Sequence, residues 1–262
     1  MTADAPGGPV FTATVRDEVC RLRRPGTRWL STGHDGGESR ADGAYLLSVP
    51  EGWNDVDVTA YVDERLAAAG FDAGRERPAL LTGVSMRHAH RARRGPVEAV
   101  VTAGLSNPAA LPVPEGDDAA AAPGSAEPGD GADSTSDRPP IGTVNVVVGT
   151  TRALAPGALA NLVAVAAEAK ATTLLERTGV PGTTSDAVVV GCDPDGETAR
   201  FSGSATAVGS AARVCVRDAL LAALASRYAE DEPPPSVAAA DYGVVGDERA
   251  RTEPIGGEPF RG

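Results

Sequence analysis

Residues Glu168–Gly191 read EAKATTLLERTGVPGTTSDAVVVG, and their order decides how the chain folds. A helical pattern stops at Gly179 and Pro181–Gly182, four polar residues follow, and Val188–Val190 form a run that is apolar on both faces. Glycine and proline just past the last turn end a helix, and a strand apolar on both faces is a central one, covered from both sides. Thr183, Thr184, Ser185 and Asp186 thus crowd the entrance of a buried strand. That arrangement suits an active site; the alternative is a turn in which Ser and Asp satisfy their own backbone.

Working outward, alternation and short apolar runs predict strands near Val10–Val15, Trp29–Ser31, Ala44–Val49, Ala79–Gly83, Val97–Ala103, Gly142–Val148, Ala187–Gly191 and Arg200–Phe201. Three helices are predicted. Trp53–Gly70 has Asn54 or Asp55 as N-cap and a Val56, Val58, Val62, Leu66 stripe. Pro156–Thr178 opens on a proline at its first turn, with Leu159, Leu162, Val163, Ala166, Ala167 and Lys170 on one face. Ala207–Tyr228 is rich in alanine. Strands that come early and helices interleaved late imply a mixed β-sheet covered by helices, of α+β or α/β class. The 262 residues, 42% of them apolar, suffice for one large core. We expect a single domain over residues 1–228 and a flexible, acidic, Pro- and Gly-rich tail over 229–262.

Between Pro112 and Pro140 the chain reads PVPEGDDAAAAPGSAEPGDGADSTSDRPP, with seven acidic residues against Arg138 alone and no periodicity. Such a segment buries too little apolar surface to offset its ordering entropy, so residues 112–140 are expected to be a disordered acidic loop joining two strands. A lid over the site is the alternative.

The net charge is −12, with one lysine, Lys170, against 23 arginines. A carboxylate-rich surface stays hydrated in molar salt, where the Debye length shrinks to about 3 Å and repulsion is screened. This points to a halophile, and it argues against nucleic acid as a partner, since phosphate neutralisation needs clustered basic residues. No apolar run reaches the length of a membrane span and Met1–Gly8 lacks signal-peptide character, so a cytoplasmic protein with no membrane partner is expected. Cys20, Cys192 and Cys215 have neither paired nor CxxC spacing and read as small buried hydrophobes.

Five segments, TAGLSN (102–107), GTVNVVVGTTRAL (142–154), GALANLVAVAAEAK (157–170), GTTSDAVVVGC (182–192) and FSGSATAVGSAARVCVRDAL (201–220), stand in an order and spacing that resembles the adenosylcobinamide amidohydrolases of archaeal corrinoid salvage. The resemblance spans about Leu80 to Arg227. It implies hydrolysis of the amide that joins aminopropanol to the corrin ring of adenosylcobinamide, releasing adenosylcobyric acid. A corrinoid-binding protein without hydrolytic activity is the reading from another class.

Amide hydrolysis needs a base, donors for an oxyanion and a proton for the departing amine. Asp186, at the mouth of a buried strand, and His88 are the expected catalytic bases, with Lys170 as an ammonium donor. Backbone amides of Gly142–Asn145 or Gly182–Thr184 are candidate oxyanion donors. Asn107, Asn145, Thr183, Thr184, Ser185 and Glu168 are the expected substrate-binding residues; the asparagine amides suit the acetamide and propionamide groups on a corrin rim. Glu168 and Lys170 lie two apart on a helix, so only one can face the site. His88 and His90 could hold a metal with Asp186, but an i, i+2 pair falls short of a metal motif and none is expected. No nucleophile-elbow pattern surrounds Ser185 or Cys192, which favours attack by water. No cofactor is expected, because cobalt arrives with the substrate.

Overall fold

The computed structural model describes residues 8–50, 57–71, 77–113, 142–246, 248–250, 252 and 255. The expected acidic loop therefore lies outside the described residues, apart from its first two.

The quoted stretch forms the centre of the fold. Strand β8 (Val144–Thr150) leads through helix α2 (Pro156–Thr178) to strand β11 (Ala187–Cys192), and the two strands pair in parallel with Ala187 opposite Asn145. A parallel pair requires a crossover of this kind. Both strands are buried along their whole length, as their valine runs predict. Pro156 occupies the first turn of α2, and Gly179 ends it in the left-handed conformation, its N–H donating to Leu175 O at 3.0 Å.

Around this unit lie β2 (Val19–Ser31), β3 (Gly37–Ser48), β4 (Ala79–Thr82), β5 (His90–Arg94) and β6 (Val97–Ala103), giving the sheet order β4-β3-β2-β11-β8-β6-β5, with β1 (Thr12–Arg16) also pairing β2. Within this sheet only β8–β11 and β3–β4 are parallel. A mostly antiparallel mixed sheet with helices is the α+β alternative. Short pairings link β7 (Pro108–Ala110), β10 (Gly182–Thr183) and β13 (Val244–Val245), and link β9 (Ala153–Leu154) to β12 (Thr198–Ala199). The last helix is α3 (Ala207–Arg227), capped by Thr206, whose side chain accepts from Gly209 N.

On one face of the sheet, Val146, Val148, Val188 and Val190 pack against Leu159 and Leu162 of α2 and Val216 and Leu220 of α3. On the other face, Val147 and Val189 meet Trp29, Phe11, Leu46 and Leu80, which belong to the β1–β4 half of the chain. The sheet closes over itself: Asn145 of β8 donates from Nδ2 to Leu81 O of β4 at 2.8 Å. Helix α1 (Val58–Ala68) seals Tyr45 and Leu47, on the opposite side of β3 from Leu46, with Val62 and Leu66. Its N-cap is Asp57, which accepts from Ala60 N at 3.0 Å, rather than Asn54 or Asp55, which lie outside the described residues.

The strands predicted at Trp29–Ser31 and Ala44–Val49 are ends of a much longer β2–β3 hairpin, irregular between Arg23 and Thr27. β5 was not predicted; its arginines make a charged edge, a common protection against edge-to-edge pairing. The three cysteines are free and buried, as expected, and burial pushes the Cys20 and Cys215 thiols up to about 11. Val244–Val245, within the expected tail, pairs in parallel with β7. Helix α2 is long and apolar enough to cross a membrane by length and composition; here its apolar residues pack on β11 and α3.

Candidate active site

The turn 183–186 folds around the carboxylate of Asp186. Its Oδ2 accepts from Thr183 N at 3.0 Å and from Lys170 Nζ, and its Oδ1 accepts from Val144 N at 2.9 Å and from Thr183 Oγ1. Asp186 therefore caps its own turn, as the alternative reading allowed, and also fixes the start of β8. Gly182 is required for this geometry, since a Cβ there would fall on Asp186 Oδ2 and Lys170 Nζ. Lys170 reaches the carboxylate from the middle of α2, and each side chain is only 11% exposed. Such a pair persists because each partner removes the cost of burying the other.

Asn107 stitches a second loop to this turn. Its Nδ2 donates to Thr184 Oγ1 at 2.7 Å and Ser185 Oγ at 3.3 Å, while Thr184 N donates to Asn107 O at 3.1 Å. Ser185 Oγ donates to Gly142 O at 3.2 Å and lies 2.8 Å from Thr143 Oγ1. Its proton thus goes to a backbone carbonyl and, among the described residues, no base touches it, so none of them activates Ser185 as a nucleophile. Three amides expected as oxyanion donors, at Val144, Thr183 and Thr184, are engaged within these loops.

A cleft of about 380 Å³ opens beside this frame, where the β2–β3 turn, β4 and the first residues of β8 and β11 meet. Val49, Pro50, Leu80 and Leu81 supply an apolar wall; Thr143, Asn145, Ser185 and Asp186 supply a polar one. His34, which is not among the expected site residues, also lines it. Its signal in the sequence is a His-Asp pair inside a Gly-rich turn, Gly33-His-Asp-Gly-Gly37, between two strands.

The structure brings Asp186, Lys170, Thr183, Thr184, Ser185, Asn107 and Asn145 into one neighbourhood. It does not bring His88 or Glu168 there. His88 Nδ1 sits 2.9 Å from Ser226 Oγ on α3, and Arg87 Nε donates to His88 Nε2 at 2.9 Å. Burial, and then the positive charges of Arg87 and Arg227, hold its pKa below the usual histidine range, with Ser226 opposing. Glu168 faces away and pairs with Arg213 at 3.2 Å. Among the described residues no cluster of three or more His, Cys, Asp or Glu could hold a metal ion.

Glu98, inside β6, is fully buried. Its Oε2 accepts from Val10 N at 2.8 Å and its Oε1 lies 3.6 Å from Arg91, so it anchors the N-terminal segment against the sheet.

The sequence profile of the adenosylcobinamide amidohydrolases matches residues 9–232, which include every segment that builds the cleft. The adenosylcobinamide amidohydrolase of Halobacterium salinarum is 54% identical over 241 residues, covering 92% of this chain and 98% of that protein. Sequence agreement on that scale, over nearly the full length of both chains, fixes the family: the chain belongs to the adenosylcobinamide amidohydrolases.

Proposed function

We propose that this protein hydrolyses the secondary amide through which 1-aminopropan-2-ol is attached to the corrin of adenosylcobinamide, giving adenosylcobyric acid and the free amino alcohol in cobinamide salvage. The observation that carries this reading is the near full-length family match over a cleft with one apolar and one polar wall. Pockets for drug-sized ligands span about 300–1,000 Å³. At about 380 Å³, this cleft is sized for one peripheral chain of the substrate and leaves the macrocycle at its mouth.

In this reading Asn145 and Ser185 contact the scissile chain, since both line the cleft with amide and hydroxyl groups that can bond a carboxamide. Asn107, Thr183 and Thr184 build the wall that carries Ser185. Asp186 and Lys170 hold that wall to β8 and α2, and water attacks the carbonyl carbon. Cobalt belongs to the substrate and takes no part in the bond that breaks. The acidic surface suits a cytoplasm of high salt, with no nucleic acid or membrane partner.

The test is incubation with adenosylcobinamide in high salt and darkness, followed by chromatography and mass analysis. Equimolar adenosylcobyric acid and aminopropanol support the reading. Tight binding with no product returns the protein to the corrinoid-binding class.

A further inference from the structure

The amide hydrolysis proposed above needs a group that takes a proton from water and gives one to the departing amine. Among the described residues two titratable ones line the cleft, His34 and Asp186. Asp186 already accepts from Val144 N, Thr183 N, Thr183 Oγ1 and Lys170, and has no geometry left for water attack on a substrate. The other two histidines are engaged elsewhere: His88 through both ring nitrogens, and His90 through Nδ1 with His88 O at 3.0 Å.

We propose that His34 is the proton-transferring catalytic residue of this cleft and that Thr59 and Asp35 position it. The inference rests on the amidohydrolase reading and names the residue that performs it. His34 Nε2 lies 3.0 Å from Thr59 Oγ1, and Thr59 Oγ1 donates to Asp35 Oδ2 at 3.0 Å. A hydroxyl that gives its proton to Asp35 accepts from the imidazole, so Nε2 carries the hydrogen and Nδ1 holds a lone pair. Asp35 Oδ2 is also 3.4 Å from Nε2, so the carboxylate and Thr59 hold the same edge of the ring. Among the described residues Nδ1 has no partner.

The loop that carries His34 is firmly held. Thr32 N donates to Val188 O at 3.0 Å and Val188 N donates to Thr32 Oγ1 at 2.9 Å, tying the loop to the strand that follows Asp186. Gly33 lets β4 approach, since a Cβ there would lie 2.5 Å from Leu80 Cδ2. Asp35 adopts φ +48°, a left-handed conformation that aspartate tolerates better than most residues and that recurs where function requires it.

In the reaction, Nδ1 takes a proton from water as its oxygen bonds the carbonyl carbon and the C=O π pair moves onto the carbonyl oxygen. That oxyanion then re-forms the double bond. The C–N bond breaks with its electron pair on nitrogen, which receives the proton from Nδ1. One water is consumed, one carboxylic acid and one amine are formed, and nothing is oxidised or reduced.

Among the described residues the charged groups around His34 are Asp35 on its own loop, Asp186 in the cleft with Lys170 bonded to it, and Glu38 and Arg77 in an adjoining cavity that His34 also lines. Arg77 is paired with Asp63. Asp35 is the anion in contact with the ring.

The experiment compares adenosylcobinamide turnover, with kcat and KM separated, and corrinoid binding of the wild-type chain with His34→Gln, His34→Ala, Asp35→Asn and Thr59→Val. His34→Gln should lose about 10²- to 10⁴-fold in kcat with binding kept within a few-fold. Added imidazole should restore part of the turnover of His34→Ala. Asp35→Asn should lower kcat at little change in KM, because the hydroxyl that orients the ring loses its carboxylate acceptor. Thr59→Val, which removes the hydroxyl between ring and carboxylate, should also lower kcat more than it changes KM. His34→Gln turning over within tenfold of wild type overturns the proposal. So does an Asp35→Asn variant whose kcat equals that of wild type, a result that decides the matter even where His34 variants fold poorly. A wild-type chain that binds adenosylcobinamide without hydrolysing it removes the amidohydrolase reading first, and this inference with it.

Discussion

Lys170, in the middle of α2, bonds the carboxylate of Asp186, the last residue before β11. The lone lysine of the chain thus ties the crossover helix to the strand it leads to, across the turn that shapes the cleft. The same carboxylate clamps Val144 N at the start of β8. One buried pair therefore sets the relative placement of three elements.

Removing one member of this pair leaves the other charge buried and unpaired. Asp186→Ala or Lys170→Met alone should destabilise the fold by about 3–5 kcal/mol in urea unfolding at high salt. The double variant Asp186→Ala with Lys170→Met should be less destabilised than the sum of the two singles, and the size of that difference measures the coupling.

Asn145 closes the sheet on itself through its bond to Leu81 O, and it also lines the cleft. Asn145→Leu removes that bond and fills the polar wall with a methyl group. We expect KM for adenosylcobinamide to rise and stability to fall by about 1–2 kcal/mol, the usual worth of a buried hydrogen bond with one partner left unpaired. Unchanged KM with unchanged stability would exclude both roles.

Phe11 and Trp29 stack at 5.7 Å between ring centroids under β8 and β11. Gly149 leaves the room for this stack, since a Cβ there would fall on the Phe11 ring. Gly149→Ala should cost about 1–3 kcal/mol by overpacking, read as a lower Tm at unchanged turnover per folded molecule. Phe11→Leu combined with it should recover part of the loss.

His88 has its folded pKa held below the ordinary value of 6.5 by burial and by Arg87 and Arg227. As pH falls through 6.5 the unfolded chain binds a proton at this position that the folded chain resists, so the unfolded state gains and stability decreases toward the lowered pKa. Replacing His88 by Gln should flatten the stability profile of the folded protein below pH 6.5 and leave hydrolysis at neutral pH unchanged. A His88→Gln chain that folds but does not turn over would restore the catalytic role first expected for it.

Much of the fold is legible in residues 142–227. The valine runs of β8 and β11, Pro156 at the start of α2, Gly179 at its end and the hydroxyl turn all state their structure locally, because dihedral preference and hydrophobic period act over a few neighbours. The same segments carried the family resemblance. The β2–β3 hairpin is far less legible. Its first strand is interrupted by Arg21, Arg23, Arg24 and Arg28 and by an irregularity near Gly26, so no clean period survives there for sequence reasoning to find. β5 hides for the same reason, as a strand of arginines at an exposed edge.

The site divides in the same way. The turn 183–186 identified itself through residues adjacent in the chain, as did the exclusion of Glu168 from whichever face carries Lys170. What the sequence alone could not rank were the histidines. His88 looked better, next to an apolar strand and two residues from His90; yet its ring turns to Ser226, while His34 reaches the cleft from a hairpin tip about 150 positions away from Asp186 in sequence. Glu98 is buried because the N-terminal backbone comes to bond it, a contact between segments far apart in the chain. Local preferences determined which segments are helix, strand and turn. Which side chains share a cleft was decided by the curl of the sheet, because contacts between distant segments depend on how the layers close and leave no trace in the spacing of neighbours.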